Sequence, residues 1–411
     1  MATTNSYQQL AGDFKQVYKE GGLEDSLPAW AICQDRWKFE TGDAIGAGYN
    51  VGVILAREAG VSYSASFNTS SPATLNASVA GQVSDALVQS YSIFVRSRID
   101  YAAAGRAAAK GKRAFEKAYS VVLDNMISSA RYRLELSLLY GQSGLAIVDA
   151  NNSGVLTLSS DTFAAAAWAG SVGAVLEAFT GTADSVSQHN GDLTITGVDR
   201  VAKTITVTGT NAAVVQNDVL YFKGARTTTG FNEAPGLFKI LSNTGSLFGI
   251  NAANYDTWAA QTHAVNGNLS LTSIMAGASK GLDYGLEKAL MLVASSSFAT
   301  LASNEAALRR YVQDTGQTKR GVKGIKFEMG QVDVEICIHP YLRPSHAFML
   351  NEPSVMRIGS TDITPYIPGS DEEMNVQVTD AAAMELRCMS DQAIFSTEPA
   401  TCVLFTAIST S

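Results

Sequence analysis

The strongest hydrophobic pattern in this 411-residue chain predicts a long helix over residues 113–140. Its apolar side chains recur every three or four positions, as they do along one side of a helix. They are Phe115, Tyr119, Val122, Met126, Ala130, Leu134 and Leu138. Charged residues such as Asp124, Arg133 and Glu135 lie between them and are expected on the other sides. The pattern predicts a rod about 40 Å long that packs along one side and ends at the glycine-rich segment 141–144.

Before this helix, apolar and polar residues alternate as they do in β-strands, from position 48 to about position 98. Val51, Val53 and Leu55 form one such run, and Tyr63 and Phe67 belong to another. A two-stranded excursion of this length cannot bury both of its faces by itself. We therefore expect it to rest on another subunit.

After the helix, the pattern changes several times. Residues 168–179 are predicted to form a second, shorter helix, and residues 183–268, rich in Thr, Asn and Gly, an all-β unit. Helical spacing returns from Ile274 to Leu290 and again from a predicted N-cap at Ser303. Alternation then predicts strands over 332–338, 384–388 and 402–408. The predicted fold class is α+β.

Hydrophobic residues make up 46% of the chain and charged residues only 17%, so much of the surface is expected to be neutral or covered by partners. The net charge of −8 argues against a dedicated nucleic-acid-binding protein, which needs a basic surface for phosphates. A basic loop over residues 319–326 leaves weak contact with nucleic acid open. The four cysteines lack metal-binding or redox spacing and are expected to be reduced. The chain starts without a signal-peptide pattern, and no apolar run reaches the roughly 20 residues that cross a membrane.

Two motifs of catalytic or metal-binding proteins occur without their required surroundings. Residues 277–281 match the G-x-S-x-G of hydrolases around Ser279, but that motif directly follows a strand, whereas helical spacing covers this stretch. Residues 149–154 match the first half of a calcium loop, yet Ser160 stands where a glutamate is required. His339 is expected at a strand end and not in a metal site. No catalytic residue, cofactor site or metal site is predicted.

The order of these elements resembles the major capsid proteins of tailed bacteriophages, which have a short arm, a long extended loop, a long helix, a mixed domain and late return strands. Several short segments resemble them as well, and together they cover most of the chain. These segments are RAFEKA at 113–118, NTGSLFGI at 243–250, ALRRY at 307–311, HPY at 339–341 and DQAIF at 391–395.

The resemblance implies an α+β fold, the Hong Kong 97-like fold of phage capsid proteins. In this fold the extended loop overlaps a neighbouring subunit. The all-β unit is an addition to the minimal fold. The implied boundaries are 1–47 for the N-terminal arm, 48–98 for the extended loop, 99–143 for the peripheral domain with the spine helix, 144–182 and 269–331 for the two parts of the axial domain, 183–268 for the all-β insertion and 332–411 for the peripheral and axial return strands.

The implied function is structural and not enzymatic. Many copies would form the hexamers and pentamers of an icosahedral shell that encloses double-stranded DNA. The protein would assemble in the bacterial host cytoplasm and reside in the virion. Its partners would be further copies of itself, with a portal, a decoration protein and a separate scaffolding protein as further candidates. Packaged DNA would be contacted only weakly, and neither a membrane nor a cofactor would be involved.

One departure from the family pattern changes the expected shell chemistry. The type phage of this fold joins a lysine of the extended loop to an asparagine of the next subunit, but this chain has no lysine between Lys38 and Lys110. We therefore expect subunits to be held without a covalent link through the loop. Contacts between subunits are expected at exposed aromatic and charged positions of the arm and loop. These positions are Trp30, Trp37, Arg57, Glu58, Tyr63 and Phe67.

Two alternatives of other classes stay open at this point. An encapsulin-like nanocompartment shell shares the fold and would enclose a cargo enzyme instead of DNA. A serine hydrolase that uses Ser279 is more distant, and it would require that serine for ester cleavage.

Overall fold

The computed structural model describes residues 30–42, 48–63, 75–101, 112–189, 191–308, 325–329, 332–366, 375–377 and 381–409. Its helices are α1 (Ile32–Arg36), α2 (Lys112–Tyr140), α3 (Leu237–Leu241), α4 (Leu271–Leu282) and α5 (Ser295–Leu308). Within the described ranges, no helix is both long and apolar enough to cross a membrane.

Strands supply most of the remaining regular structure. They are β1 (Phe39–Thr41), β2 (Tyr49–Ala56), β3 (Gln82–Val88), β4 (Tyr91–Asp100), β5 (Ala146–Asn152), β6 (Val155–Leu158), β7 (Val175–Phe179), β8 (Leu193–Asp199), β9 (Thr204–Gly209), β10 (Val219–Phe222), β11 (Ser246–Leu247), β12 (Ile250–Asn251), β13 (Gln261–Gly267), β14 (Lys288–Val293), β15 (Ile325–Met329), β16 (Val332–Ile338), β17 (Ala347–Asn351), β18 (Val355–Thr364), β19 (Asn375–Gln377), β20 (Ala383–Ser396) and β21 (Val403–Ile408).

The predicted long helix is confirmed as α2, which has 29 residues. Its middle turns pack along one side, where Val122, Met126 and Ala130 meet buried side chains of β4 and β20. Its last two turns are buried on several sides, from Leu134 to Tyr140. This end differs from the predicted one-sided rod because apolar residues surround the helix axis in the segment LELSLLY.

Two sheets organise the chain around α2. In the first, β4 pairs along its whole length with β20, β20 pairs with β18, and β1 joins β18 in parallel. The second has the order β13-β21-β17-β14-β16-β15 and packs against α4 and α5. The predicted strands at 332–338 and 402–408 are confirmed as β16 and β21. Because β21 lies between β13 and β17, the late segment of the chain is built into this sheet.

A closed barrel of order β10-β5-β6-β9-β8-β7 follows α2 directly. The helix predicted over 168–179 is wrong, since this stretch continues from a short 3-10 turn, Ala165–Trp168, into the strand β7. Gly170 and Gly173 adopt positive φ angles, which end the helical path, and Leu176 and Ala178 then alternate into the barrel core. The barrel strands run from 146 to 222 and so do not coincide with the predicted all-β range of 183–268.

The helices after the barrel also differ at their ends from the prediction. Helix α4 stops before Gly285, whose φ of 97° is unfavourable for other residues, and Leu290 lies in strand β14. Helix α5 begins at Ser295, eight positions before the predicted N-cap. Ser303 lies inside α5, where its hydroxyl donates to the carbonyl oxygen of Thr300.

Gly277 allows α4 to lie directly on β21. A Cβ atom at this position would come within 2.2 Å of the Phe405 ring, closer than atoms can approach. We predict that Gly277→Ala destabilises the chain by up to about 2 kcal/mol, because overpacking costs about 1–3 kcal/mol and the gain in helix propensity offsets about 1 kcal/mol of it.

Thermal unfolding followed by circular dichroism measures this effect. Ser279→Ala is the control, since Ser279 lies two residues away on the exposed side of α4. A Gly277→Ala chain that melts at or above the wild-type temperature would contradict this packing argument.

Candidate assembly surface

An extended ribbon leaves the body of the chain after β1. It consists of β2, β3 and the segments 57–63 and 75–81 that continue them. The strands pair from Tyr49 opposite Val88 to Ala56 opposite Gln82. Beyond the strands, the Asn76 side chain donates to the carbonyl oxygen of Val61 at 2.8 Å, so the two segments stay adjacent. Within the predicted extended loop of residues 48–98, the described residues 48–63 and 75–88 therefore form a two-stranded structure. Residues 91–98 instead belong to β4, which pairs with β20 of the body.

The inner face of the ribbon is fixed to the body by apolar packing. Tyr49, Val53 and Val88 are buried in one cluster with Trp258 and Phe395. The backbone also contributes, because the N–H of Leu87 donates to the carbonyl oxygen of Phe248 at 2.9 Å. The base of the ribbon is consequently a part of the folded core.

The outer face of the ribbon exposes apolar side chains to solvent. Ile54 and Val83 lie directly opposite each other in the register and are 76% and 69% exposed. Farther out, Tyr63 is 92% exposed, and Val61 and Val79 are also exposed. Single exposed apolar residues are common, but several of them along one ribbon indicate a candidate interaction surface, although the exposed Asp85 shares this face with Val83.

The structure places the predicted contact residues in different surroundings. Arg57, Glu58 and Tyr63 are exposed on the ribbon, and Trp30 is 41% exposed. Trp37 is only 5% exposed and packs in the core beside α2, so its indole is not available to a neighbouring subunit in this structure. Phe67 lies outside the described residues.

The arm is joined to the body by a buried carboxylate on α2. Glu135 accepts hydrogen bonds from the backbone N–H of Cys33 at 2.6 Å and from the side chain of Gln34 at 3.0 Å. It also lies 2.9 Å from Nε2 of His339, at the end of β16. Cys33, Glu135 and His339 are completely buried. Three segments distant in sequence therefore meet at one charge.

The hydrogen bonds around His339 define its chemical role. The backbone N–H of Tyr341 donates to Nδ1, so the proton of a neutral ring resides on Nε2 and points to Glu135. Cys33, Glu135 and His339 have ligand atoms within 4.8 Å of one another, close enough for a metal site. A metal ion on Nε2 would need the proton moved to Nδ1, where it would face the Tyr341 N–H. The network is explained as a buried ion held by donors, with His339 at a strand end as predicted.

The electrostatics of the junction follow from burial and these bonds. Burial by itself would raise the pKa of Glu135, but the hydrogen bonds from His339, Cys33 and Gln34 outweigh it and lower the pKa. Burial, together with the charge of Glu135, raises the pKa of the Cys33 thiol. Glu135 therefore stays ionised while the thiol stays protonated.

A buried arginine holds the other end of α1. Arg357 donates through NH1 to the carbonyl oxygens of Gln34 and Trp37, at 2.9 and 3.0 Å. Its Nε and NH2 donate to the side chain of Gln392. Because α1 has only five residues, these partners at both of its ends satisfy backbone groups that the helix itself leaves open.

Ser279 lies in a helical environment, as the sequence pattern predicts. Its hydroxyl donates to the carbonyl oxygen of Ala276 within α4. The glycines on either side of it serve close packing, since Gly277 faces Phe405 and Gly281 faces the carbonyl oxygen of Thr401. A nucleophile elbow requires a strand directly before the serine, so the hydrolase alternative lacks its structural basis.

Sequence reasoning missed Glu135, which was expected on a polar side of the long helix. A signal was present, because Leu134, Leu136, Leu138 and Leu139 surround it and predict burial on all sides of the last turns. The partners Cys33 and His339 carry no comparable signal, since they lie 102 and 204 positions away.

The comparisons with known proteins give a fold but no sequence family. No protein-family model matches the sequence, and no curated protein sequence matches it. The structure is similar to the capsid of cyanophage A-1(L), with a TM-score of 0.52 and 10% identical residues over 98% of this chain and 99% of that chain. The chain therefore has the Hong Kong 97-type fold of phage capsid proteins, as the family resemblance of its sequence implies.

Further structures resemble the chain less. The capsid of a native GTA particle has a TM-score of 0.49 and 8% identity over 97% of both chains. The holo-SrpI encapsulin complex from Synechococcus elongatus PCC 7942 has a TM-score of 0.43 and 8% identity over 98% of this chain and 95% of that chain.

We predict that Glu135→Gln lowers the free energy of unfolding by about 1.5–3 kcal/mol at neutral pH, the range for hydrogen bonds to a charged group. The lowered pKa of Glu135 means that its contribution is present above the ordinary value of 4.5 and is lost as pH falls through the lowered value. The difference between variant and wild type should therefore shrink in acid.

Urea unfolding at a series of pH values measures this difference. Glu287→Gln removes an exposed carboxylate and serves as the control. An equal loss of stability in both variants, or a Glu135→Gln deficit that grows in acid, would argue against the junction described above.

Proposed function

We propose that this protein is the major capsid protein of a tailed phage, which assembles non-covalently into the hexamers and pentamers of an icosahedral shell around double-stranded DNA. The observation that carries the proposal is the extended ribbon, whose base is part of the core while its outer face exposes a row of apolar side chains. In a shell of this fold, each copy can cover the exposed apolar side chains on the ribbon of the next copy.

The ribbon suits a ring of identical subunits. A surface on one copy that meets a different surface on the next copy closes into a ring when the rotation between copies closes. Burying one exposed Ile or Val side chain contributes about 1.5–3 kcal/mol, so the pair Ile54 and Val83 supplies a large part of such a contact. The repeated contact around the ring multiplies the effect of each side chain.

The other proposed partners follow from the shell. Self-association is the main interaction, and a portal, a decoration protein and a separate scaffolding protein are further candidates. The acidic chain, with 38 Asp and Glu against 30 Lys and Arg, fits weak contact with packaged DNA. The site of action would be the virion, after assembly in the bacterial host cytoplasm, with no membrane and no cofactor.

The domain assignment is part of the proposal. We assign residues 30–42 to the arm, the ribbon to the extended loop, and the sheet of β4, β18 and β20 with α2 to the peripheral domain. The sheet around β14 and β21 corresponds to the axial domain, and the barrel is an insertion. The ends of the barrel lie side by side, since Ala146 pairs with Leu220, as an inserted module requires.

The encapsulin-like alternative predicts the same shell with different contents. No feature of the described residues favours it. Purified shells separate the two functions, because a phage capsid protects DNA from nuclease and a nanocompartment holds a cargo enzyme. Electron microscopy of the purified chain tests both, since a stable monomer that forms no shells, tubes or capsomers would exclude a shell function.

We predict that Val83→Asp leaves the chain folded but reduces the yield of sedimenting shells at least tenfold. A charge on the outer face of the ribbon would have to be buried in every contact between subunits, at a cost well above the roughly 1.4 kcal/mol that corresponds to a factor of ten. Sucrose-gradient sedimentation measures the yield, and circular dichroism checks the fold.

Val201→Asp is the matched control for this experiment, because Val201 is a 93% exposed valine on the turn between the barrel strands β8 and β9 and is not part of the ribbon. Shells of Val83→Asp at the wild-type yield would remove the ribbon from the proposed contact. A defect of equal size in both variants would show that the effect is not specific to the ribbon.

We also predict that assembled shells dissociate completely in hot detergent. Without a lysine between Lys38 and Lys110, the ribbon cannot form an isopeptide bond from its own amine. Denaturing electrophoresis should show one band at 43.4 kDa, whereas shells treated with a chemical cross-linker should show a ladder. A ladder from untreated shells would contradict the non-covalent assembly.

A further inference from the structure

A cavity of about 600 Å³ lies between β4, which follows the ribbon in the chain, α2 and the last strand of the barrel. Its walls are largely apolar, with Phe94 from β4, Leu136 from α2 and Val175 from the barrel. Its charged lining includes Arg96, Arg133, Lys223 and Glu233. The cavity thus combines an apolar body with a surplus of positive charge.

Arg133 is the unusual member of this lining. Its guanidinium carbon lies 3.2 Å from the centre of the Phe222 ring, and its NH1 nitrogen is shielded from solvent without a hydrogen-bond partner. Within the described ranges, no carboxylate forms an ion pair with it. Burial lowers the pKa of Arg133 to about 10, because taking the guanidinium out of water disfavours its charged form.

Arg226, Arg343 and Arg357 are more deeply buried than Arg133, and the fold supplies each of them with acceptors. Arg357 donates to four oxygen atoms of the chain, and Arg343 donates to the carbonyl oxygen of Gly144 at 2.7 Å. Arg226 donates to the hydroxyl of Tyr221 at 3.0 Å. A buried charge is normally paired in this way. Arg133 lacks such an acceptor among the described residues, although the fold supplies acceptors elsewhere.

Glu233, the carboxyl group that lines the cavity, does not act as the counter-charge of Arg133. Glu233 accepts the backbone N–H of Gln142 at 2.9 Å, which directs one oxygen to the start of the barrel. Burial raises the pKa of Glu233 to about 7, so near neutral pH it carries only part of a charge. Arg133 therefore faces the cavity without a full counter-charge from the described chain.

We propose that this cavity receives an Asp or Glu side chain from a second copy of the chain, whose carboxylate pairs with Arg133. The inference rests on the proposed shell function, which brings copies side by side. The pair would be short and charge-assisted, and the guanidinium geometry accepts a carboxylate through two parallel hydrogen bonds.

Three observations favour a second copy as the source of the acid. The cavity is lined by β4, which follows the ribbon strand β3 after only two intervening residues, so it is close along the chain to the surface proposed for contact between copies. Phe94 is 66% exposed on β4 and lines the cavity as an uncovered apolar contact. The chain carries more acidic than basic residues, and the exposed Arg96 beside the cavity attracts acidic segments.

Replacement of Arg133 by Met tests the proposal, because the two possible roles of Arg133 predict opposite results. If Arg133 awaits a partner, Arg133→Met removes a partly buried charge whose shielded NH1 nitrogen has no acceptor in the described chain. The unassembled chain then melts at the wild-type temperature or above it, while shell yield falls at least tenfold. If Arg133 only stabilises the fold through Phe222, the variant melts lower and the chains that remain folded assemble at the wild-type yield.

Arg131→Met is the control, since Arg131 is exposed on the same helix. It should change neither the melting temperature nor the yield. A wild-type chain that forms no shells overturns the proposed function together with this inference. Wild-type shells matched in yield by Arg133→Met overturn this inference alone.

Cross-linking identifies the source of the acid. A photoreactive amino acid replaces Ser129, which lines the cavity beside Arg133, and shells are assembled from a mixture of heavy-isotope and normal chains. Cross-links between heavy and normal chains at a peptide containing Asp or Glu support the proposal. Cross-links confined to single chains overturn it.

A free carboxylate is the remaining occupant to exclude. Free glutamate should not raise the melting temperature of unassembled wild-type chains any more than that of Arg133→Met. A rise specific to the wild type, without cross-links between copies, would assign the cavity to a small carboxylate and overturn the second copy as its occupant.

Discussion

The arrangement of this chain depends on the buried carboxylate of Glu135. An ion inside a protein must be surrounded by donors, because leaving it unpaired costs several kcal/mol. Here the donors come from the arm and from the end of β16, so the charge determines where both segments lie against α2. At the other end of α1, the buried cation Arg357 fixes the helix in a similar way, by donating to the carbonyl oxygens of Gln34 and Trp37. Together they turn a five-residue helix with little core of its own into a fixed part of the body.

The molecule separates two kinds of interaction. Inside the body, charged groups such as Glu135 and Arg357 have several partners each, and apolar residues fill continuous clusters. On the ribbon, the inner face is part of such a cluster, whereas Ile54 and Val83 on the outer face have no cover within the described chain. In a chain built in this way, the ribbon has a fixed orientation on the body, while apolar side chains on its outer face are left uncovered. Both properties are consistent with the assembly from copies of the chain that we propose.

The periodicity of apolar residues predicted secondary structure correctly where a helix buries one side or where a strand alternates between a buried and an exposed face. The long helix and the strands β16 and β21 follow directly from their periodicity. It failed at 168–179, where alanine-rich composition favours a helix but Gly170 and Gly173 turn the chain into a barrel strand. The barrel closes only because β5 and β6 pair with strands far along the chain, and no local signal reports such pairing. The residues at which the barrel begins and ends therefore could not be predicted from the periodicity of the sequence.

The sequence by itself determined the long helix, the strands β16 and β21, the absence of a lysine from the ribbon, and an order of elements that resembles a capsid fold. These properties are local or depend only on order along the chain. Tertiary structure alone decided that Glu135 is a buried anchor, that Trp37 belongs to the core and that Arg133 faces a cavity. On a helix drawn in isolation, Arg133 and Glu135 look alike as charged residues between apolar ones. What distinguishes them is which distant segment approaches each side, and only the folded chain sets that.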